Sequence, residues 1–451
     1  MRKSLSLILM MTWAALLWSD PKALTIEDAL QIAKDNNYSL KANDVSLHTA
    51  VKKEKAAWNV FMPTMNLSMT YAKSNEVSTT SALTPVPSSF SPGDNSFDKV
   101  QVMSFDSKDS LVAQMTAQLN LNLAIGNGIK ALKLNSESAS LDRQVAWQDT
   151  ALDVQKSFYQ ILLLQKQRAI LQSQYQTMEQ RLKDVRNMYN NGYSTELDLL
   201  QVQVGLERMK PSLTQMDEGI KNGIKGLTYK LGLPQEQEIT LVGEISVDDL
   251  SGVEGDLDSS LTLLQLDNNL EQLENAKKAA FYQNLPTLTL GWGYNPILGN
   301  PTDGDKYSSF SDYFDSDNWS DQGSLTITLS MPLDAWLPFS SSQMDIDGYK
   351  DQIKALGYQK LSATEGLAVQ LKSLRSTLVS QSQTITASLK GRDLAKRTYD
   401  LTKVAYRSGT KTYYELKSAE DDYLSAEFDY ISSQYDYLMT YLDLKYNLGQ
   451  F

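Results

Sequence analysis

Ala56-Ala57-Trp58-Asn59-Val60-Phe61-Met62-Pro63-Thr64-Met65-Asn66-Leu67 returns in altered form as Ala279-Ala280-Phe281-Tyr282-Gln283-Asn284-Leu285-Pro286-Thr287-Leu288-Thr289-Leu290. In both copies two alanines and an aromatic residue lead to a proline, and the proline opens a run in which polar and apolar side chains alternate. Two further matches share one spacing. Tyr189-Asn190-Asn191-Gly192 reappears as Tyr406-Arg407-Ser408-Gly409, and Tyr229-Lys230-Leu231-Gly232 as Tyr446-Asn447-Leu448-Gly449, each 217 positions on. A unit of about half the chain is too long for a solenoid repeat, so the sequence predicts a tandem pair of similar halves.

The alternation has the period of two that belongs to a strand. Thr64, Asn66, Ser68 and Thr70 alternate with Met65, Leu67, Met69 and Tyr71, and the segment from Gln114 to Leu123 alternates in the same way. In the second half Leu288, Leu290, Trp292 and Tyr294 take the apolar positions of one strand, and Leu325, Ile327, Leu329 and Met331 those of another. Each segment is about the length a tilted membrane strand needs. The polar positions hold only Thr, Asn, Ser, Gln and Gly, which line water without a charge barrier, while Tyr71, Trp292 and Tyr294 suit a membrane interface. Two soluble hairpins with one wet face would show the same pattern, so the strands alone leave both readings open.

The amino terminus has the form of an export signal. Arg2 and Lys3 precede an apolar run from Leu5 to Leu17 that is too short to span a bilayer, and Ser19 is the small residue before a cleavage point. Residues 1–19 are therefore set apart as a signal peptide, and the mature chain is expected outside the cytoplasm. With no cysteine, a disulfide framework, a thiolate metal site and a cysteine-borne lipid anchor are all excluded. No later run of about 18 apolar residues follows, so a membrane crossing would need a closed β-barrel. A net charge of −12 offers no basic face to nucleic acid.

Helical regions shift the balance between the two readings. From about Gly128 to Asn190 there is no proline, and Leu171, Tyr175, Met178, Leu182, Val185 and Tyr189 recur at alternating steps of four and three, the seam of a coiled coil. The seam resumes after Gly192 at Leu199, Val202, Leu206, Met209, Leu213, Met216, Ile220 and Leu227. Each of these has a counterpart 217 positions later in the row from Leu416 through Ala419 and Tyr423 to Leu444. Pro211 is expected to kink or locally unwind its helix. Lengths match as well: at 1.5 Å per residue the helix over 128–190 runs about 94 Å and its return over 195–231 about 55 Å, and the segment 39–60 stacked end to end on the return covers the difference. The second half repeats this match, with 261–284 and 411–448 set against 341–407.

Together these features resemble the TolC-like family of outer-membrane efflux proteins over essentially the whole mature chain. The likeness is carried by the helix-to-strand turns at Pro63 and Pro286, the strand exit Leu329-Ser330-Met331-Pro332-Leu333 and the tip Tyr406-Arg407-Ser408-Gly409-Thr410-Lys411-Thr412. It implies an α plus membrane β-barrel fold of tandem-duplicated helix and strand halves. Three protomers would each give four strands to a twelve-stranded barrel and long coiled-coil helices to a periplasmic α-barrel. Four strands cannot close a barrel whose small examples need about eight, so oligomerisation is required, although strand count alone leaves a dimer open. On this reading 20–233 is the first structural repeat, with strands near 64–72 and 112–124 and a tip near 190–195. An inter-repeat linker at the equatorial region follows over 234–256. The second repeat covers 257–451, with strands near 286–294 and 323–332 and a tip near 407–411.

The resemblance also implies a function and places residues in it. A channel-tunnel in the outer membrane, in contact with its lipid and extended far into the periplasm, would export small molecules or proteins by docking with a periplasmic adaptor protein and an inner-membrane pump. Gly192, Tyr193 and Ser194 at the first tip and Gly409 and Thr410 at the second match the adaptor-docking positions. Tyr406 and Lys411, linked to Asp198, match a periplasmic gate, with Glu415 in an acidic ring. Lysine stands here for the family's common arginine, which removes the bidentate fork and weakens the link, and Ser418 stands at the position of a second acid. Solvated tip groups, whose exposed pairs contribute about 0–1 kcal/mol each, are the competing reading.

The acidic segment 295–322 and the Ser- and Pro-rich segment 73–110 are expected to form long outer loops. A catalytic reading lacks its parts. His48 is the one histidine, so zinc clusters and histidine-activated nucleophiles are unsupported. Glu420, Asp421 and Asp422 are expected on the solvated face of a heptad helix, and Tyr423, Tyr430 and Tyr437 in a packing stripe. No catalytic residue, metal or cofactor is expected. The alternative to a channel is a structural periplasmic coiled-coil protein without a conducting pore.

Overall fold

A computed structural model of the chain describes residues 22–87, 97–245, 259–295, 297–298, 319–320 and 323–451. The segment assigned to a signal peptide and most of the acidic segment 295–322 lie outside them. The first half contains β1 (Lys22–Leu24), α1 (Ile26–Asn36), α2 (Tyr38–Lys55), β2 (Thr64–Pro87), β3 (Phe97–Leu121), α3 (Ile125–Asn190) and α4 (Glu196–Lys230). A short β4 (Ile239–Leu241) precedes the second half: α5 (Leu261–Gln283), β5 (Thr287–Tyr294), β6 (Ile297–Leu298), β7 (Trp319–Ser320), β8 (Gly323–Ser330), α6 (Ser341–Arg407) and α7 (Tyr413–Asn447). The order of short helix, strand hairpin, long helix and returning helix thus occurs twice. The long helices have 66 and 67 residues and the returning helices 35 each. No helix among the described residues is long and apolar enough to cross a membrane.

The chain forms two compact units. One comprises Lys52–Leu134 and Glu271–Ile353 and is built on a sheet in which β2, β3, β5 and β8 lie side by side, antiparallel throughout. The register pairs like with like. Thr64 faces Gln118, Asn120 faces Thr289 and Thr289 faces Thr328, while Leu67 faces Met115, Leu119 faces Leu290 and Leu290 faces Ile327. A slip of one residue would exchange the faces of a strand, so two-residue periodicity on all four strands specifies this register. Met65, Leu67, Met69, Leu325, Ile327 and Leu329 on the apolar face are 61–76% exposed. In a water-soluble sheet the apolar face is covered and the polar face is wet; here the apolar one stands open. Among the described residues each outer strand also has a single partner, so both edges keep a row of free backbone groups there.

The described residues among 22–51, 135–270 and 354–451 make up the other unit. Its largest core gathers Leu24, Ala29 and Ala33 with Val154, Phe158 and Ile161 of α3, Leu227 of α4, Leu241 of β4, and Leu438 and Leu442 of α7. Toward the first tip the heptad seam is packed as its spacing predicts, with Met178, Val185, Val202 and Leu206 buried and Tyr175, Leu182, Leu199 and Met209 against them. Helix ends meet where the length match requires. Asn37 accepts the amides of Ser39 and Leu40 at the start of α2 and donates its Nδ2 to the Lys230 carbonyl at the end of α4, at 2.8 Å. In the second repeat Ser259, just ahead of α5, donates its Oγ to the Leu448 carbonyl just past α7, at 3.0 Å. Gly232 and Gly449 close α4 and α7 at φ of 69° and 71°. A Cβ there would lie 2.3 Å from the Asn36 carbonyl oxygen or 2.5 Å from that of Ser259, so the reversal and the close approach both require glycine.

Two expectations are corrected. Most of 73–110 is strand rather than loop, since β2 continues to Pro87 and β3 begins at Phe97, with register breaks between Lys73 and Ser78 and between Ala82 and Leu83. Val77, Thr79, Thr80, Val100, Val102 and Phe105 supply the β-branched and aromatic content that strands favour. Pro85 and Pro87 are tolerated because β2 is an edge strand. Of the two effects expected at Pro211, unwinding does not occur: α4 runs through it unbroken, with the ring at an exposed position.

Gly449→Ala is expected to destabilise the chain by about 1–3 kcal/mol, the range for a side chain held in a forbidden backbone region. Gly391→Ala lies inside α6 with open space around it and is expected to be neutral or slightly stabilising. Thermal unfolding of the two variants side by side checks this; equal midpoints would show that the close approach at Ser259 is not a constraint.

Candidate functional site at the helical tips

The helices reverse direction by the same chemistry in both repeats. At the first tip Gly192, at φ 79°, donates its amide to the Tyr189 carbonyl at 3.0 Å, and Tyr193 donates to Met188 at 2.8 Å. At the second, Gly409, at φ 76°, donates to Tyr406 and Thr410 to Ala405, both at 3.0 Å. These paired bonds satisfy the last carbonyls of a helix that ends on a left-handed glycine. Each returning helix then opens on a capping box, Thr195 with Asp198 and Thr412 with Glu415. The Thr195 hydroxyl and amide both donate to Asp198 Oδ2, at 2.7 and 3.1 Å, and Ser194 adds a third bond at 3.3 Å. Glu415 Oε2 accepts the Thr412 amide at 2.9 Å. Two of the expected gate acids therefore hold helix starts together before any further role is considered.

Three of the four expected gate residues share a cleft between the tips, and Glu415 is not among its lining residues. Asp198, Tyr406 and Lys411 line it with Tyr193, Ser194 and Gly409. Within the chain, Lys411 pairs with Glu415 in its own first turn, while Asp198 is engaged by Ser194 and Thr195. Burial raises the pKa of the Tyr406 phenol; the nearby Arg181 opposes this and the Asp198 charge adds to it. The Thr195 hydroxyl is the largest influence on Asp198 and lowers its pKa against a smaller effect of burial. Glu415 is lowered to about 2, first by Lys411 and then by the Thr412 amide and hydroxyl. Of the expected docking residues, Tyr193 is 85% exposed, Gly192 and Gly409 face open space, and Thr410 returns its hydroxyl to the Ala405 carbonyl at 2.9 Å.

One member of the supposed solvated acidic face is buried. Glu420 lies inside the packing and takes a two-pronged contact from Arg181, with Nη1 to Oε2 at 2.7 Å and Nη2 to Oε1 at 3.3 Å. Asp421 and Asp422 are exposed as expected, and Asp421 is paired with Lys417 one turn back. Glu420 directly follows the seam residue Ala419, and Arg181 directly precedes the seam residue Leu182. Heptad spacing alone does not tell a seam-flanking charge that turns inward from one that turns out. Tyr423 does pack, stacked on Tyr399 at 6.0 Å.

On the sheet, Trp292 and Tyr294 stack in parallel at 6.3 Å. Trp292 and Tyr71 stay exposed, on the face that carries the open Met and Leu side chains.

The fold is similar to that of the outer membrane protein VceC from Vibrio cholerae, with a TM-score of 0.69 and 14% identity over 94% of this chain and 96% of that one. It is also similar to the Campylobacter jejuni CmeC outer membrane channel, with a TM-score of 0.71 and 13% identity over 94% and 86%. The open state of the Neisseria gonorrhoeae MtrE outer membrane channel gives 0.69 and 15% over 94% and 88%. No curated protein matches the chain in sequence. Residues 29–221, most of the first repeat, match the family model described as Outer membrane efflux protein, and the second repeat copies the first in element order, seam and caps. The likeness to that model covers less than half of the chain, and over the remainder the resemblance to outer-membrane channels is one of fold.

The depressed Glu415 pKa gives a pH signature. Its contribution to the α7 start is complete above the ordinary carboxylate value of about 4.5 and fades as pH falls toward about 2. Amide protection over Tyr413–Leu416, measured against intrinsic exchange, is expected to drop through that window. Thr412→Ala is expected to lower it about five-fold already at neutral pH, as the loss of one cap does. Unchanged protection in the variant would rule out the cap.

Proposed function

We propose that this chain is an outer-membrane efflux protein, three copies of which assemble into a channel-tunnel that exports small molecules or proteins when a periplasmic adaptor and an inner-membrane pump engage its tips. The reading is carried by the four-stranded sheet, whose alternating segments hold no charged residue and whose open apolar face and unpaired edges are described above. Free edge groups cost several kcal/mol each in hydrocarbon, so a sheet of this kind enters a membrane only when closed on further strands. Copies of itself supply them: the apolar face meets lipid, Tyr71, Trp292 and Tyr294 lie at its interface, and the Thr, Ser, Asn, Gln and Gly face lines a wet lumen. Two copies would supply eight strands and three supply twelve; the trimer follows from the family resemblance.

Gly192, Tyr193, Ser194, Gly409 and Thr410 form the docking surface in this reading. Asp198, Tyr406, Lys411 and Glu415 form the gate, where three copies of Glu415 around a narrow pore favour cations. The oligomer is expected to conduct in planar bilayers, and a folded, heat-modifiable oligomer without conductance would leave a structural coiled-coil role as the better account. Tyr406→Phe with Lys411→Ser is expected to raise resting conductance, and Glu415→Ala to reduce cation selectivity; values matching the parent in both would return these residues to the status of helix caps. Tyr193→Glu is expected to impair export in cells while conductance and assembly stay intact, and loss of assembly would count against docking.

A further inference from the structure

The Arg181–Glu420 pair differs from the other contacts that join these helices. Its side chains are 10% and 1% exposed, whereas Arg143–Asp44, Lys156–Asp443, Arg168–Asp217 and Lys360–Asp267 all have both partners more than a third exposed. Glu420 also accepts the Tyr399 hydroxyl at 3.3 Å. The Arg181 guanidinium lies over the Tyr413 ring at 5.9 Å, and Tyr413 reaches the Met178 sulfur at 3.9 Å. Burial works against the charged form of Arg181, and the hydrogen bonds and charge of Glu420 outweigh it. Three helices, α3, α6 and α7, meet in this cluster. Arg181 stands 11 residues before Gly192 and Glu420 stands 11 after Gly409, so both lie about 16 Å from their tips, at one level beside the cleft.

We propose that this pair is a charge lock, fixing the α6–α7 hairpin against α3 in one register so that the tips part only when it breaks; its effect on conduction rests on the gate reading above. An apolar pair would hold the helices as firmly, because burying two charges offsets much of their attraction. What a buried ion pair adds is directional demand. Sliding α7 against α3 by one turn moves Glu420 about 5.4 Å, out of hydrogen-bond reach, and leaves two charges inside without water or partner. Small slips are therefore strongly resisted, and the helices have a closed arrangement or a separated one with little between. The duplication shows that the lock is not a by-product of the shared seam. The repeat equivalents of Arg181 and Glu420 are Thr398 and Gln203, so the charges join the first long helix to the second returning helix and have no counterpart on the opposite diagonal.

The absence of cysteine allows a direct test on the full chain. Spin labels at Tyr193→Cys and Tyr414→Cys, positions 85% and 81% exposed, report the distance between the tips in assemblies diluted with unlabelled chain. Arg181→Met with Glu420→Gln removes both charges and orphans neither, and is expected to broaden that distance distribution and raise resting conductance several-fold. Arg181→Lys keeps the charge and loses the fork, and is expected to give an intermediate distribution, which keeps the test open if the neutral pair fails to fold. A distribution identical to the parent in the neutral double variant, or in Arg181→Lys should that double not fold, overturns the lock. If the same sample conducts like the parent while Tyr406→Phe with Lys411→Ser conducts more, the gate stands without the lock. A broadened distribution with parent conductance upholds the lock as a positioning device and overturns the gate reading.

Discussion

A β-sheet has to pair its edges, and this one cannot do so by itself. Four strands with an exposed row of Met, Leu and Ile on one face and free backbone groups along both sides do not make a finished structure in water or in lipid. The rest of the molecule is consistent with that constraint. The strands occur as two hairpins at equivalent places in two repeats, and within their alternating segments the register separates polar from apolar side chains with no charged residue among them. Closure by copies of the same chain meets the constraint without adding a new element.

The helical unit solves a second problem, how to join helices of unequal length. A long helix faces a return helix about half its length, and a separate short helix is joined to the end of the return helix by a side chain that bonds across the junction. Asn37 does this in one repeat and Ser259 in the other. The glycines beside these junctions have no room for a side chain. The same economy appears at the tips, where left-handed glycines close the descending helices and Thr–acid boxes open the ascending ones. Asp198 and Glu415 therefore have a sufficient structural reason to be acidic, and any gating role is added to a residue already in use.

Much of this was legible in the primary structure because it is periodic or local. The duplication, the seam from Tyr175 to Val185, the alternating strands and the glycine tips all follow from spacing, and spacing survives into the fold. The stretch from Lys73 to Ser110 was obscured by its Ser and Pro content, since an edge strand tolerates proline and a loop prefers it. Pro211 leaves its helix wound for a related reason: a single missing backbone bond at an exposed position does not undo a helix that is packed on its other face.

The sequence by itself determined two repeats, four uncharged alternating segments, paired long helices and tips that turn on glycine, because each is a matter of spacing along the chain. Only the tertiary structure decided which charges are buried. Arg181 and Glu420 are separated by 239 positions, and heptad spacing treats both as residues beside a seam. Whether such a side chain faces water or a partner depends on the rotation and level of two helices from different repeats, a property of packing that no local pattern encodes.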